Sequence, residues 1–321
     1  MIVREDVFTR YLLQSTIPSI RYQTLTGLLG LRKNEPRVAE ARQAIVTDGP
    51  VPAILAQQAD SGAWKGERGY YTPKYISTHW SMTLLAELGA DGLDARFRKG
   101  AEHMLEATAD ELSQRMQTGT LGFSCFWGNL LRYTVQAGLV DDPRLERVVE
   151  YAAQDLLEGP CRCVHNTDAP CAWGVVRTLW GLAALPRARR TGKVAQAIEH
   201  GTGFLLDSFS LVEANYPLPA SGKISPYWFK LSFPLFYQVD ILFTLRVLDE
   251  LGLLGHLGAQ PALDWLERQR GKNGRWPGDS PFRQRTWRGM GSPTETTRWV
   301  SLQAARILLH AGRIHNTTQS S

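Results

Sequence analysis

Apolar positions recur along this chain at helical spacing, in two alternating styles. In the first style the run is apolar nearly all round and ends in a leucine-rich turn stopped by glycine or proline. Segments 19–30, 77–89, 125–138, 171–186, 233–252 and 294–312 read this way, and such a pattern predicts buried helices. In the second style the run is charged, with one apolar stripe, as in 35–58, 94–107, 142–157, 192–206 and 260–269. These predict outer helices, and 5–14 is a candidate for a further one. The starts Asp94-Ala-Arg and Asp142-Pro-Arg predict N-caps, the second with proline in the first helical position. Strand signals are scarce.

The buried runs stop at Gly30, Gly89, Gly138, Pro186, Gly252 and Gly312, so each repeat is a helical hairpin followed by a loop of variable length. Alternation of buried and exposed helices predicts an all-α fold. An open solenoid would expose an apolar face at each end. The pattern therefore predicts an α/α toroid, a double ring of about six inner and six outer helices, forming one domain over 1–321 with no linker. Long loops are expected at 61–76, 108–124, 158–170, 207–232 and 272–293, each running from an outer helix to an inner one. In a closed ring of parallel inner helices these loops gather at one mouth. The inner N-termini would point their partial positive charge there, a geometry suited to anions.

Two short stretches match each other. Gln58, Gly62 and Trp64 spell Q-x3-G-x-W, and Gln269, Gly274 and Trp276 spell Q-x4-G-x-W. Each follows an amphipathic run ending in leucine, Leu55 or Leu266. The glycine is expected to end a helix in a left-handed conformation, the tryptophan to fold back on the next helix, and the glutamine to bond backbone left free at the helix end. With these motifs and the alternating helices between them, the chain resembles the terpenoid cyclase and protein prenyltransferase superfamily, with its squalene–hopene-cyclase-like repeats. The resemblance implies the toroid, an aromatic-lined central cavity and an enzyme acting on an isoprenoid or other hydrophobic substrate by cyclisation or prenyl transfer. The chain departs from it in lacking the Asp-x-Asp-Asp acid, the Asp-Asp-x-x-Asp metal-diphosphate motif and the zinc pattern of Asp-x-Cys with a distant His. Its one Asp-Asp pair, Asp141-Asp142, reads as a helix cap.

Composition adjusts this picture modestly. The net charge of +5 comes without a basic run, which favours an anionic small molecule over nucleic acid. No apolar stretch is long enough to span a membrane, no amphipathic anchor is evident, and the charged N-terminus lacks a signal peptide's apolar segment. A cytoplasmic location is therefore expected, and there the four cysteines are thiols or metal ligands rather than disulfides.

The densest chemistry is Cys161-Arg-Cys163-Val-His165-Asn-Thr-Asp168-Ala-Pro-Cys171, in a loop entering a buried helix, with Cys125 at the start of the preceding one. Thiolates and imidazole suit zinc, making Cys125, Cys161, Cys163, His165 and Cys171 candidate ligands and zinc the candidate cofactor. A nucleophilic Cys171, its pKa lowered by a helix N-terminus with His165 as base, is an alternative for a thiol-dependent hydrolase. Cysteine is also a common buried apolar residue. Asp168 and Asp240 are candidate acids, Asp240 lying inside the apolar run 233–252, where burial raises a carboxyl pKa unless it is paired. His79 enters a buried helix facing the expected mouth.

Tyr22, Tyr75, Trp80, Phe126, Trp127, Trp173, Tyr227, Trp228, Phe233, Tyr237 and Trp299 fall at or before inner-helix starts. As a set they suit a pocket that grips an apolar chain or a cation, and singly they suit core packing. Arg21, Lys65, Arg68, Lys74, Arg162, Lys223, Lys230, Arg285, Arg288 and Arg298 share that end and would suit a diphosphate or carboxylate. Segment 208–232, rich in proline and aromatics, is a candidate lid. A non-catalytic lipid-binding module is the remaining alternative.

Overall fold

The computed structural model describes residues 6–66, 69–218 and 222–314. In chain order its helices are α1 (Val7–Leu13), α2 (Pro18–Gln23, continued by a π-helical turn Thr24–Leu28), α3 (Pro36–Thr47), α4 (Pro50–Leu55), α5 (Thr78–Glu87), α6 (Ala95–Ala107) and α7 (Ala109–Thr118). There follow α8 (Ser124–Gln136), α9 (Pro143–Leu157), α10 (Ala172–Ala184), α11 (Gly192–Gly203, continued by a π-helical turn Phe204–Ser208), α12 (Ile241–Leu251), α13 (Gln260–Arg268) and α14 (Pro293–His310). Among the described residues no strand forms. Two isolated bridges, Arg162 with Pro170 and Ser232 with Asp279, are the extended pairings. The molecule is all-α.

The two sequence styles separate by burial. Every residue of α5 is buried, whereas α9 buries a stripe of Leu145, Val148, Ala152 and Leu156, the spacing of one helical face. Asp94 and Asp142 cap α6 and α9, accepting the N–H of Arg96 and Arg144 at 2.9 Å. At the other end, Gly252 closes α12 with φ of 77°, a left-handed turn that glycine adopts without a Cβ clash.

The buried helices contact one another in succession: α5 with α8, α8 with α10, α10 with α12, α12 with α14, and α14 with α2. Ser19 of α2 donates its hydroxyl to the Leu88 carbonyl at the end of α5. The first and last helices meet where α1 packs on α14 and Arg298 Nε donates to the Tyr11 carbonyl at 3.0 Å. The main apolar core runs from Tyr11 to Leu308, beside a small cluster of Leu25, Leu29, Val38 and Ala41.

The repeated motif does one job twice. The indole N–H of Trp64 donates to the Ile54 carbonyl at 2.7 Å and its backbone N–H to Thr78 Oγ1 at 3.0 Å. Trp276 does the same with the Leu266 carbonyl (2.7 Å) and Ser301 Oγ (3.0 Å). The tryptophan thus ties down the helix before it as well as the helix after it; each indole adds a second donor to a carbonyl that also accepts a backbone N–H, from Gln57 or Gln269. Gly62 and Gly274 take the left-handed conformation (φ 90° and 77°). Gln58 ties the turn to the next outer helix through the Gly62 and Arg96 carbonyls, both at 2.9 Å.

Three boundaries differ from the sequence expectation. The outer run 35–58 breaks into α3 and α4 at Gly49, whose φ is 76°. The segment 108–124, expected to be loop, contains α7, with Asp110 and Glu111 in its first turn and Gly119 at its end. The run 233–252 becomes helical only at Ile241, because Asp240 is the N-cap and not an interior residue.

Candidate functional site

Helices α8 and α10 approach more closely than side chains would normally permit, and glycine is the reason. A Cβ on Gly181 would lie 2.5 Å from the Gly128 carbonyl oxygen, and one on Gly174 would lie 2.9 Å from the Cys161 Cβ. This crossing brings the N-terminal ends of α8 and α10 side by side, with Cys125 in the first turn of one and Cys171 as the N-cap of the other. Between them the 158–171 loop folds into a tight hairpin. Cys163 N–H donates to the Ala169 carbonyl (3.2 Å), Asp168 N–H to the Cys163 carbonyl (3.0 Å) and Cys171 N–H to the Pro160 carbonyl (3.2 Å). Asn166 Nδ2 bonds the Pro170 carbonyl at 2.9 Å and the Pro217 carbonyl at 3.1 Å, joining this loop to segment 207–232.

These elements enclose a cavity of about 850 Å3. Its wall draws on four of the five expected loops: Tyr71 and Lys74 from 61–76, Gly122 and Phe123 from 108–124, Cys161 to Asn166 and Asp168 from 158–170, and Tyr216, Lys223 and Ile224 from 207–232. The four cysteines, His165, Asp168, Trp173 and Tyr237 all line it. Lys74 Nζ sits 5.2 Å over the Tyr237 ring and 5.9 Å over that of Tyr71. With Arg162 and Lys223 it makes the wall cationic against one lining carboxylate, Asp168. A smaller hollow of about 400 Å3, lined by Tyr70, Tyr71, Glu111, Phe123 and Phe126, adjoins it through Tyr71 and Phe123.

The thiols differ sharply. Cys163, half-buried, is held down to about 6 by a hydrogen bond from the Cys171 thiol, against its burial, which opposes this, and with help from backbone N–H groups and the charge of nearby His165. Cys171 is raised well above the usual thiol value, first by that same bond and then by burial. This reverses the expectation for Cys171: its proton is the one spent on stabilising its neighbour, so the more acidic thiol of the pair is Cys163. Burial pushes Cys125 up to about 11. Cys161 is fully enclosed and turned toward Thr178 Oγ1, 3.6 Å away.

The expected zinc set therefore divides. Cys163 and Cys171 act on each other's acidity, Cys161 is turned to Thr178 of α10, and His165 is exposed. Among the described residues no group of three or more His, Cys, Asp or Glu side chains converges as ligands.

Several other expected site residues serve the frame. Asp240 accepts the N–H of Phe243 at 2.6 Å and of Ser232 at 2.8 Å, and burial lifts it to about 7 against those two donors; it does not line the cavity. His79 is fully buried, stacked on Phe126 at 4.4 Å, with Nδ1 3.4 Å from the Tyr133 hydroxyl. Burial and the Arg177 charge hold it down to about 3, so it is neutral and no acid at neutral pH. Trp80 and Trp228 spend their indole N–H groups on the carbonyls of Tyr71 (2.8 Å) and Leu211 (2.7 Å). Trp127 packs against Phe126 and Tyr151, Trp299 stacks on Phe233 at 4.1 Å, and Tyr75 lies among Phe236, Phe282 and Trp80. Tyr22 stands 5.7 Å from the Arg42 guanidinium in a separate small cluster with α3. Arg21 donates to the Ser15 carbonyl at 2.7 Å and Arg298 pairs with Glu295, both anchoring the N-terminal segment. Arg68 lies outside the described residues.

Two groups were not anticipated. Asp155, buried in α9, accepts the Gly122 N–H at 3.2 Å and the Ser124 hydroxyl; burial lifts it to about 6 against those bonds. It falls on the apolar stripe of α9, a position where a carboxylate needs partners, so the sequence did carry a signal. Tyr71 lines the cavity from a loop, where no periodicity marks it. Comparison with protein-family models, curated proteins and solved structures returns no match to the chain.

Proposed function

We propose that the protein is a thiol-dependent enzyme that takes a hydrophobic, anionic substrate, an acyl ester or thioester, into the cavity at the starts of α8 and α10, with Cys163 as nucleophile. The observation that carries this reading is the Cys163 thiol, which lines a cavity shared with Tyr71, Phe123, Trp173, Tyr216 and Tyr237 and has Cys171 as a thiol partner and a lowered pKa. The thiolate is the nucleophilic form. Its attack on an acyl carbonyl forms an acyl-enzyme and releases the alcohol or thiol, which leaves with a proton; water then frees the acid. Tyr71, Trp173 and Tyr237 suit the apolar chain. Lys74, Arg162 and Lys223 suit a negative head group, as do the two helix N-termini. Exposed His165 is the candidate proton carrier.

The fold reading that goes with this is an α/α toroid. It is supported by the succession of buried helices from α5 through α14 to α2, by the Ser19–Leu88 bond between α2 and α5, and by the shared cavity of four outer-to-inner loops.

Cyclisation or prenyl transfer on an isoprenoid diphosphate is the second reading, favoured by the cationic, aromatic wall. It lacks a strong acid there: Asp240 is engaged as a helix cap away from the cavity, and Asp168 is exposed.

The test is incubation with acyl thioesters of graded chain length, followed by intact-mass analysis and rate measurement. An acyl adduct on Cys163, a rate that rises with chain length and with pH through about 6, and a loss of at least about 100-fold in Cys163→Ser are expected. No adduct, with Cys163→Ser turning over as the parent does, overturns the reading.

A further inference from the structure

A nucleophilic thiol needs no second thiol beside it, yet Cys163 has Cys171 on the same hairpin. The bridge between Arg162 and Pro170 and the bonds from Cys163 N–H to the Ala169 carbonyl and from Cys171 N–H to the Pro160 carbonyl hold the two ends of this hairpin in register. In this antiparallel pairing Cys163 and Cys171 stand diagonally on one face of the hairpin, and each thiol shifts the acidity of the other, so the two sulfurs are near each other before any reaction. The other cysteines are placed differently: Cys161 is engaged with Thr178 and enclosed, and Cys125 belongs to α8. Both members of the pair line the cavity, which gives a small oxidant a route to them.

We infer that Cys163 and Cys171 are a site of reversible oxidation by hydrogen peroxide, closing an intrachain disulfide across the mouth of the cavity. The Cys163 thiolate attacks one peroxide oxygen, the O–O bond breaks, and the departing hydroxide takes a proton to become water. This leaves a sulfenic acid on Cys163. The Cys171 sulfur then attacks the Cys163 sulfur, the S–O bond breaks, and hydroxide leaves with the Cys171 proton as a second water. Two thiols lose two electrons in all and one peroxide is reduced. A dithiol reductant reverses the bond by exchange. That oxidation would also stop turnover rests on the role of Cys163 proposed above; the bond itself does not.

The experiment uses the full chain, reduced and then treated with hydrogen peroxide under native conditions. Trypsin cuts after Arg162 and Arg177, so both cysteines stay in one peptide, Cys163–Arg177. That peptide is expected to lose two hydrogens, to resist alkylation, and to regain both on reduction. Cys171→Ser keeps a good helix N-cap and is expected to accumulate a dimedone-reactive sulfenic acid on Cys163 instead. A disulfide involving Cys125 or Cys161, or over-oxidation of Cys163 as fast in the parent as in Cys171→Ser, overturns the inference, as does a pair that stays reduced. A peptide that closes its disulfide in a protein without thioester activity would leave this inference standing and remove the functional one.

Discussion

Gly128 of α8 lies directly against the backbone of Arg177 on α10: a Cβ there would sit 2.3 Å from the Arg177 carbonyl oxygen and 2.5 Å from its carbonyl carbon. Backbone cannot swing aside as a side-chain end can. Gly128→Ala is therefore expected to cost about 1–3 kcal/mol or more and to push apart the helix starts that carry Cys125 and Cys171. Gly255→Ala, where nothing lies within 4 Å, is the matched control, expected within about 0.5 kcal/mol of the parent. Urea unfolding of both variants checks this, and equal losses would contradict the close-packing account.

The two tryptophan turns make a paired prediction. Replacing Trp64 by Phe removes one of two donors to the Ile54 carbonyl, which keeps the Gln57 N–H at 3.0 Å, and Trp276→Phe does the same to the Leu266 carbonyl, which keeps the Gln269 N–H at 3.2 Å. The loss of one such hydrogen bond costs about 0.5–1.5 kcal/mol. Because both indoles are buried and both bonds measure 2.7 Å, the two losses are expected to agree closely. Denaturant midpoints giving a large loss for one variant and none for the other would break the structural equivalence of the repeats.

His79 sets a pH dependence whose sign is determined by burial. Its native pKa is depressed to about 3 by desolvation first and the Arg177 charge second, against about 6.5 when unfolded. Its contribution is present above the unfolded value and is lost as pH falls from about 6.5, at about 1.4 kcal/mol per pH unit. Asp155 and Asp240, raised by burial to about 6 and 7, act in the opposite direction, stabilising at low pH and losing that contribution as pH rises. The informative quantity is thus the difference between the parent and His79→Phe. Between pH 6.5 and 5 the parent should lose roughly 2 kcal/mol relative to the variant; parallel pH profiles would show that His79 is not a buried neutral imidazole.

Much of this architecture was legible along the chain, because a helix repeats every 3.6 residues and writes its buried face into the order of apolar positions. The buried segments 77–89, 125–138, 171–186 and 294–312 and the outer segments around α6 and α9 all correspond to helices in the structure. The caps Asp94 and Asp142 and the turn glycines Gly62 and Gly274 were readable for the same reason: they answer a local backbone need. Asp240 misled because an aspartate at the end of an apolar run looks the same as one inside it until the preceding residues are seen to leave the helix.

The site was legible only in its parts. That the four cysteines lie near two helix starts follows from their order in the chain. That Cys163 bonds Cys171 while Cys161 turns to Thr178, and that Trp173 and Tyr237 reach the cavity while Trp80, Trp127, Trp228 and Trp299 do not, depends on how closely α8 and α10 cross and how the loops fold over their ends. Periodicity is a property of neighbours along one helix, so amino-acid order alone settles which faces are buried. Which sulfur meets which, and which thiol becomes acidic, depends on distances between segments remote in the chain, and those exist only once the helices have packed.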